Sequence, residues 1–305
     1  MTDIQSTGDK DIDLKEIISV LYDSRRLISL VTGIFIICTL IYALTLPNLY
    51  LSESLVVAIN DQGATQRASA NVGSLVKMTT GINLASSGSM SNGEIASQTV
   101  YSRDFLQHLI SNFDYVLPHL TAFEKFDQKS QSSFFDPSIY DEKNKTWVSG
   151  KASYLEVYPA YRGIVTAEYE ASHGIIYMSV EHESPIFAHD FLKLIIGEVN
   201  SLRRQKDLAE SKKALDYLYK ESSSNNISVV QKSISQLITS QLSTQMMANI
   251  KPDYMIQAFD TPFIPIEKSG PTRSIILFIG TLLGLILSSI YVIIVYLLTG
   301  KKALL

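Results

Sequence analysis

The chain is poor in the groups that staple, metallate or activate a protein. Among 305 residues there is one cysteine, Cys38, inside an apolar run, so the rest of the chain has no disulfide and must fold by packing alone. No GxxxxGK[ST] phosphate-binding loop, no HExxH pair and no GxSxG nucleophile turn occurs anywhere in it. Histidine and carboxylate do meet at Glu181-His182-Glu183 and at His189-Asp190. Neither group has the HExxH spacing, and adjacent residues on a strand face opposite ways, so His182 and its two glutamates do not easily converge on one ion in ligand geometry. No catalytic residue, metal or cofactor is therefore expected. A basic excess is missing as well: the net charge is −4, and removing the two tails leaves a small acidic surplus between Pro47 and Arg273. Nucleic acid is not an expected partner.

Charge itself is absent from two stretches, Leu27 to Ser52 and Ser274 to Gly300. A helix of about 20 apolar residues crosses a bilayer, and transmembrane helices are predicted over 27–46 and 275–298. A secretory signal peptide is the rival for the first run, because Arg25 and Arg26 precede it. The run is too long for that, and no small-x-small cleavage site follows. Lys10, Lys15, Arg25 and Arg26 flank the first span, and Lys301 and Lys302 the second. The positive-inside bias then places tails 1–26 and 299–305 in the cytoplasm and residues 47–274 outside, in the periplasm of a Gram-negative cell. In the first tail, DIDLKEIISVLYDSRRL sets Leu14, Ile17, Ile18 and Leu21 on one helical face. Two readings stand for it: an interfacial helix on the membrane, or a continuation of the span.

Between the spans a mixed α+β domain is predicted. LSESLVVAI (51–59) reads as a strand, a helix near 68–78 is weakly indicated, and 93–113 carries apolar residues at helical spacing. Residues 117–150 resist assignment. GIVTAEYE (163–170) and IIYMSVEH (175–182) alternate around Ser172, His173 and Gly174 as a hairpin. Ser184 and Pro185 then form an N-cap and N1 pair opening a long helix over about 185–222. Its first half is rich in Ile, Phe and Leu. The second half is charged and keeps a thin stripe at Leu208, Leu215 and Leu218, so the helix leaves its domain as an arm roughly 55 Å long. SSSNN ends it. A second helix over 228–250 carries Val230, Ile234, Leu237, Leu242 and Met246, to pack back as a hairpin or against a neighbouring subunit. Residues 254–259 return as a last strand. The order β-α-β-β-α-β is that of a ferredoxin-like base with the arm inserted before its last strand. First and last strands each adjoin a span, so they are expected to be antiparallel neighbours.

Three stretches carry a likeness to a known family: DIDLKEIISVLYDSRRLI before the first span, SVEHESPIFAHDFLKLIIGEVN entering the long helix, and PFIPIEKSGPTRSIILFIGTLLG at the second span. With two terminal spans and a charged arm, the chain resembles the Wzz-type polysaccharide co-polymerases, the O-antigen chain-length determinants. The resemblance implies a periplasmic α/β base with protruding helices. It also implies a ring of identical subunits working with an O-antigen polymerase, in contact with the growing glycan and with membrane lipid. It implies no catalysis. The arm is short for that family. Related tyrosine autokinases carry a cytoplasmic nucleotide-binding domain, and this sequence shows no such motif.

Two sets of residues are singled out. Gly280, Gly284 and Ser288 form a small-xxx-small face for close helix approach; the partner is left open between span one, another subunit and a polymerase. Pro262, Pro265 and Pro271, in the lead-in 260–273, stiffen the connection between the domain and the second span and are expected to couple them. Arg203, Arg204 and Lys206 read as a solvated face with i,i+4 partners. The rival functions are a sensor ectodomain, an adaptor or export component for another polysaccharide, and a glycan hydrolase built on paired carboxylates.

Overall fold

A computed structural model describes residues 14–59, 90–224 and 228–299; the weakly indicated helix near 68–78 lies outside them. Chain order is α1 (Leu14–Asp23), α2 (Arg25–Thr45), β1 (Tyr50–Ala58), α3 (Asn92–Val100), α4 (Arg103–Asn112), α5 (Val116–Thr121) and the short strands β2 (Phe123–Asp127), β3 (Ser132–Phe135), β4 (Tyr140–Asp141) and β5 (Thr146–Trp147). It continues with α6 (Tyr154–Ile164), β6 (Val165–Glu170), β7 (Ile175–His182), α7 (Pro185–Ser224), α8 (Ser228–Ile250), β8 (Ile256–Ala258) and α9 (Arg273–Thr299). The described residues form two units: residues 49–268, and the terminal segments that hold α1, α2 and α9.

In the larger unit, four strands lie in the order β6-β7-β1-β8 with every pair antiparallel. This is the ferredoxin-like sheet, and β1 and β8 are the antiparallel neighbours expected from their positions in the chain. Alternation sets its two faces. Val56, Val165, Ala167, Ile176, Met178 and Val180 point to one side, where α3, α4, α6 and the first half of α7 bury them. Tyr177 faces away and is exposed. The hairpin β6–β7 turns at Gly174, whose φ of +69° suits glycine and whose N–H bonds Glu170 O at 2.9 Å.

Three local features differ from the pattern reading. The stretch 93–113 is two helices, because Ser102 leaves the helix and its hydroxyl accepts from the Phe105 N–H at 3.1 Å, capping the second one. Apolar periodicity runs through this break and hides it. Helix α6, to which no element was assigned from the pattern, opens on a full capping box of Ser153 and Glu156 and holds Pro159 within it. The unassigned stretch contains α5 and two small hairpins. Tight packing also explains a glycine: a Cβ on Gly93 would overlap the Tyr169 ring, so helix α3 rests its backbone on that ring.

Helix α7 begins as expected, the Ser184 hydroxyl accepting from the Phe187 N–H at 3.2 Å. Beyond Asn200 it is accompanied by α8, which folds back as a helical hairpin: Leu215 and Ile234 are buried between them, and the Ser211 hydroxyl donates to Gln241 O at 2.9 Å. For Leu242 and Met246 the sequence left this seam and a neighbouring subunit open. They face outward with Ile250, because the seam runs through Ile234 and Ala248.

Candidate functional site

Two helices are long and apolar enough to cross a membrane, Arg25–Thr45 and Arg273–Leu298. In α9 the protected residues recur every four positions, at Gly280, Gly284, Ser288 and Val292, which draws a straight stripe along one face. That stripe packs against α2 of the same chain. A Cβ on Gly280 would overlap the Thr39 side chain, and one on Gly284 would sit 2.7 Å from Phe35 Cβ and 3.4 Å from Thr32 Cα. The absence of side chains is what lets the helix backbones approach. Two hydroxyls at the seam bond within their own helices, Thr39 donating to Phe35 O at 2.7 Å and Ser288 to Leu285 O at 3.0 Å, whereas the Thr32 hydroxyl beside Gly284 is buried without a partner among the described residues. At the far end Val20, Leu27 and Val292 form a small core with Tyr296. Helical bonding passes through Ser24, from the Ser24 N–H to Val20 O and from the Ile28 N–H to Ser24 O. Helix α1 thus continues α2 rather than lying apart from it. At the other end Arg273 Nη2 donates to Asn48 Oδ1 at 3.2 Å and Leu46 O at 3.5 Å, joining the residues just past α2 to the start of α9.

The three prolines do not form one cluster. Pro265 is buried and Pro262 half-buried in the larger unit, whereas Pro271 belongs to the helix unit and follows a cis peptide bond. What holds the lead-in is a pair of serines that pattern reading passed over. Past Ala258 the chain continues along the edge of β1, where Pro262 has no N–H to offer. The Phe259 and Asp260 N–H groups bond Leu55 O at 2.7 and 3.1 Å, and the Ser54 hydroxyl donates to Asp260 O at 2.5 Å and the Ser52 hydroxyl to Phe263 O at 2.8 Å, adding side-chain bonds to the backbone ones. The signal was present: two serines occupy inward positions of an otherwise apolar strand face.

A second polar group sits where the arm leaves the base. Asn200, 4% exposed, donates through Nδ2 to Ile256 O at 2.8 Å and accepts through Oδ1 from the Met255 and Ile256 N–H groups at 2.8 and 2.9 Å. One amide therefore ties α7 to β8. Arg204 is not a solvated residue: its guanidinium donates to Lys251 O at 2.9 Å and to Pro252 O, covering the carbonyls that end α8. Asp207 accepts from Arg203 Nε at 3.0 Å and from the Tyr254 hydroxyl at 2.8 Å. Lys206 and Glu210 are 4.0 Å apart and exposed, as the spacing predicted. Nothing in the periodicity of the long helix distinguishes these clamps from ordinary surface polarity.

His182 lies among rings, 4.6 Å from the centroids of both Phe123 and Phe187 and 6.0 Å from that of His119. Its Nδ1 accepts the Ser184 N–H at 3.0 Å. Among the described residues no cluster of three His, Cys, Asp or Glu could hold a metal. Burial, reinforced by His119, pushes the His182 pKa down to about 4; burial also lowers that of His119. At pH 7 the imidazole is neutral folded or unfolded and costs nothing. As pH falls below about 6.5 the unfolded chain takes up the proton and the folded one does not, so stability drops by about 1.4 kcal/mol per pH unit, about 3 kcal/mol in all, until the folded residue titrates near pH 4. Thermal unfolding between pH 7 and 4.5 is expected to show that loss and His182→Phe to shrink it. An unchanged slope in the variant would assign acid sensitivity to other groups.

Residues 10–113 match the family described as Wzz, chain length determinant protein. That match spans about a third of the chain and falls on the family that the sequence resembles. Among solved structures it is similar to a full-length bacterial polysaccharide co-polymerase, with 12% identity over 96% of this chain and 100% of that one and a TM-score of 0.39. It is also similar to a fragment of WzzB, the polysaccharide co-polymerase from Salmonella Typhimurium, with 10% identity over 73% of this chain and 100% of that one and a TM-score of 0.29. No curated protein matches it.

Proposed function

We propose that this chain sets the modal length of a bacterial surface polysaccharide, the O-antigen of lipopolysaccharide, as a non-catalytic partner of a membrane polymerase. The match of residues 10–113 to the chain length determinant family carries the reading. It lies in the inner membrane with both termini cytoplasmic and the α+β domain periplasmic; the basic residues beside each apolar helix support that orientation. Several copies assemble into a ring. The exposed stripe of Leu242, Met246 and Ile250 along α8 supports self-association, since a regular apolar row facing solvent is an unfavourable surface for a lone subunit. Prolines 262, 265 and 271, with the serines that pin the lead-in, transmit the position of the base to the second span. Gly280, Gly284 and Ser288 keep the two spans together as one unit that a polymerase can contact. The test is the length distribution of the surface polysaccharide on a gel. Deletion is expected to turn a clustered ladder into an unclustered one, and complementation to restore it. An unchanged ladder would overturn the O-antigen reading and favour a role with another exported polysaccharide.

A further inference from the structure

The larger unit contains a cavity of about 230 Å³ that joins core residues to charged ones. Its apolar part is Ile110 and Leu117 at the base and two aromatic rings, Tyr140 on β4 and Trp147 on β5, with centroids 4.9 Å apart and planes inclined at 52°. Its polar part is Asp114, from the link between α4 and α5, with Lys145 and Lys151 from either side of β5. None of these three charged groups is in an ion pair among the described residues.

The lysines are placed, not merely present. The turn from β4 to β5 is held by Asp141, whose carboxylate accepts from the Lys143 and Asn144 N–H groups and from the Asn144 side chain at 2.7 Å. That turn forces Lys145 to a φ of +51°, a conformation uncommon outside glycine and asparagine. Behind it, the Val148 N–H bonds Ile139 O at 3.0 Å and fixes the far side of Trp147.

We propose that this cavity binds one acidic sugar ring of a glycan. This rests on the co-polymerase reading for the ligand's origin, and on the lining for its chemistry. A pyranose offers an apolar C–H face to an aromatic wall and a rim of hydroxyl donors. Asp114 accepts from such hydroxyls. The two lysines outnumber it and favour a ring bearing a carboxylate. The volume falls below the roughly 300 Å³ at which pockets for drug-sized ligands begin, and suits a single ring.

Trp147 is the chain's single tryptophan, so its fluorescence reports this cavity without labelling. The full chain in detergent is titrated with methyl glucuronide and with methyl glucoside, as wild type and as Lys145→Ala/Lys151→Ala. Both lysines are exposed, and far-UV circular dichroism checks that the fold is kept. A saturable change is expected with the glucuronide, weaker by roughly fivefold with the glucoside, and the preference is expected to vanish in the double variant. No saturable change, or equal response to both sugars, overturns the proposal. Failure of the two readings is separable. Absence of titration in a protein whose deletion scrambles the polysaccharide ladder removes the sugar site and leaves chain-length control standing. Titration in a protein whose deletion leaves the ladder unchanged does the reverse.

Discussion

Asn200→Ala is expected to lower the stability of the α+β base by about 3 to 5 kcal/mol. The side chain is buried and completes three hydrogen bonds, so its truncation orphans two backbone N–H groups and one carbonyl of the last strand in a place water does not reach. Strand β8 is three residues long and pairs only with β1, so it has little else to hold it. Asn200→Asp separates the components. It keeps an acceptor for the Met255 and Ile256 N–H groups and turns the Nδ2 donor into an oxygen facing Ile256 O, so an intermediate loss is expected. Thermal unfolding of the purified full chain checks both variants, and a wild-type midpoint for Asn200→Ala would show that β8 is held by other means. Because β8 runs directly into the lead-in, the same variant is expected to abolish chain-length control in cells even at a temperature where the protein persists.

The second large effect is expected in the helix pair. Gly280→Ala adds one methyl group where Thr39 already sits, and Gly284→Ala adds one against Phe35. Helices cannot separate locally, so each overlap moves the whole seam, at about 1 to 3 kcal/mol per site. The double variant is expected to give an unclustered ladder while the α+β unit keeps its thermal transition. The decisive measurement is rescue. Thr39→Ala removes the hydroxyl and methyl that a Gly280 side chain would strike and leaves the residue 39 Cβ 2.7 Å from it, so Thr39→Ala combined with Gly280→Ala is expected to recover the clustered ladder in part. If Thr39→Ala leaves the Gly280→Ala defect untouched, the glycine face serves a contact other than α2.

Much of this architecture could be read without coordinates, because it depends on long-period signals. Two runs without charge are visible however they pack. Strand alternation around Ser172 to Gly174 and the Ser184-Pro185 cap are local statements about backbone geometry, and the structure agrees with both. The ferredoxin-like order followed from element sequence together with the proximity of both end strands to a span. Breaks and short elements were less legible. Ser102 interrupts a helix without interrupting apolar periodicity, and α6 is short and carries a proline inside it, although a capping box opens it. The outward turn of Leu242 and Met246 was unreadable for a different reason. An all-round mixture of Ser, Gln and aliphatic residues allows several seams, and the choice belongs to the partner helix.

The sequence by itself determined that this protein has two membrane-capable helices, an α+β domain between them, and a helix that becomes polar as it leaves that domain. These follow from composition and period, properties of the chain that no fold can alter. Only the tertiary structure decided the partner of each special residue: Gly280 with Thr39, Ser54 with the carbonyl of Asp260, Asn200 with the backbone of β8. Such pairings join residues from about 50 to more than 200 positions apart. Their chemistry, a missing side chain or one hydrogen-bonding group, is common to hundreds of unremarked positions until packing brings two of them face to face.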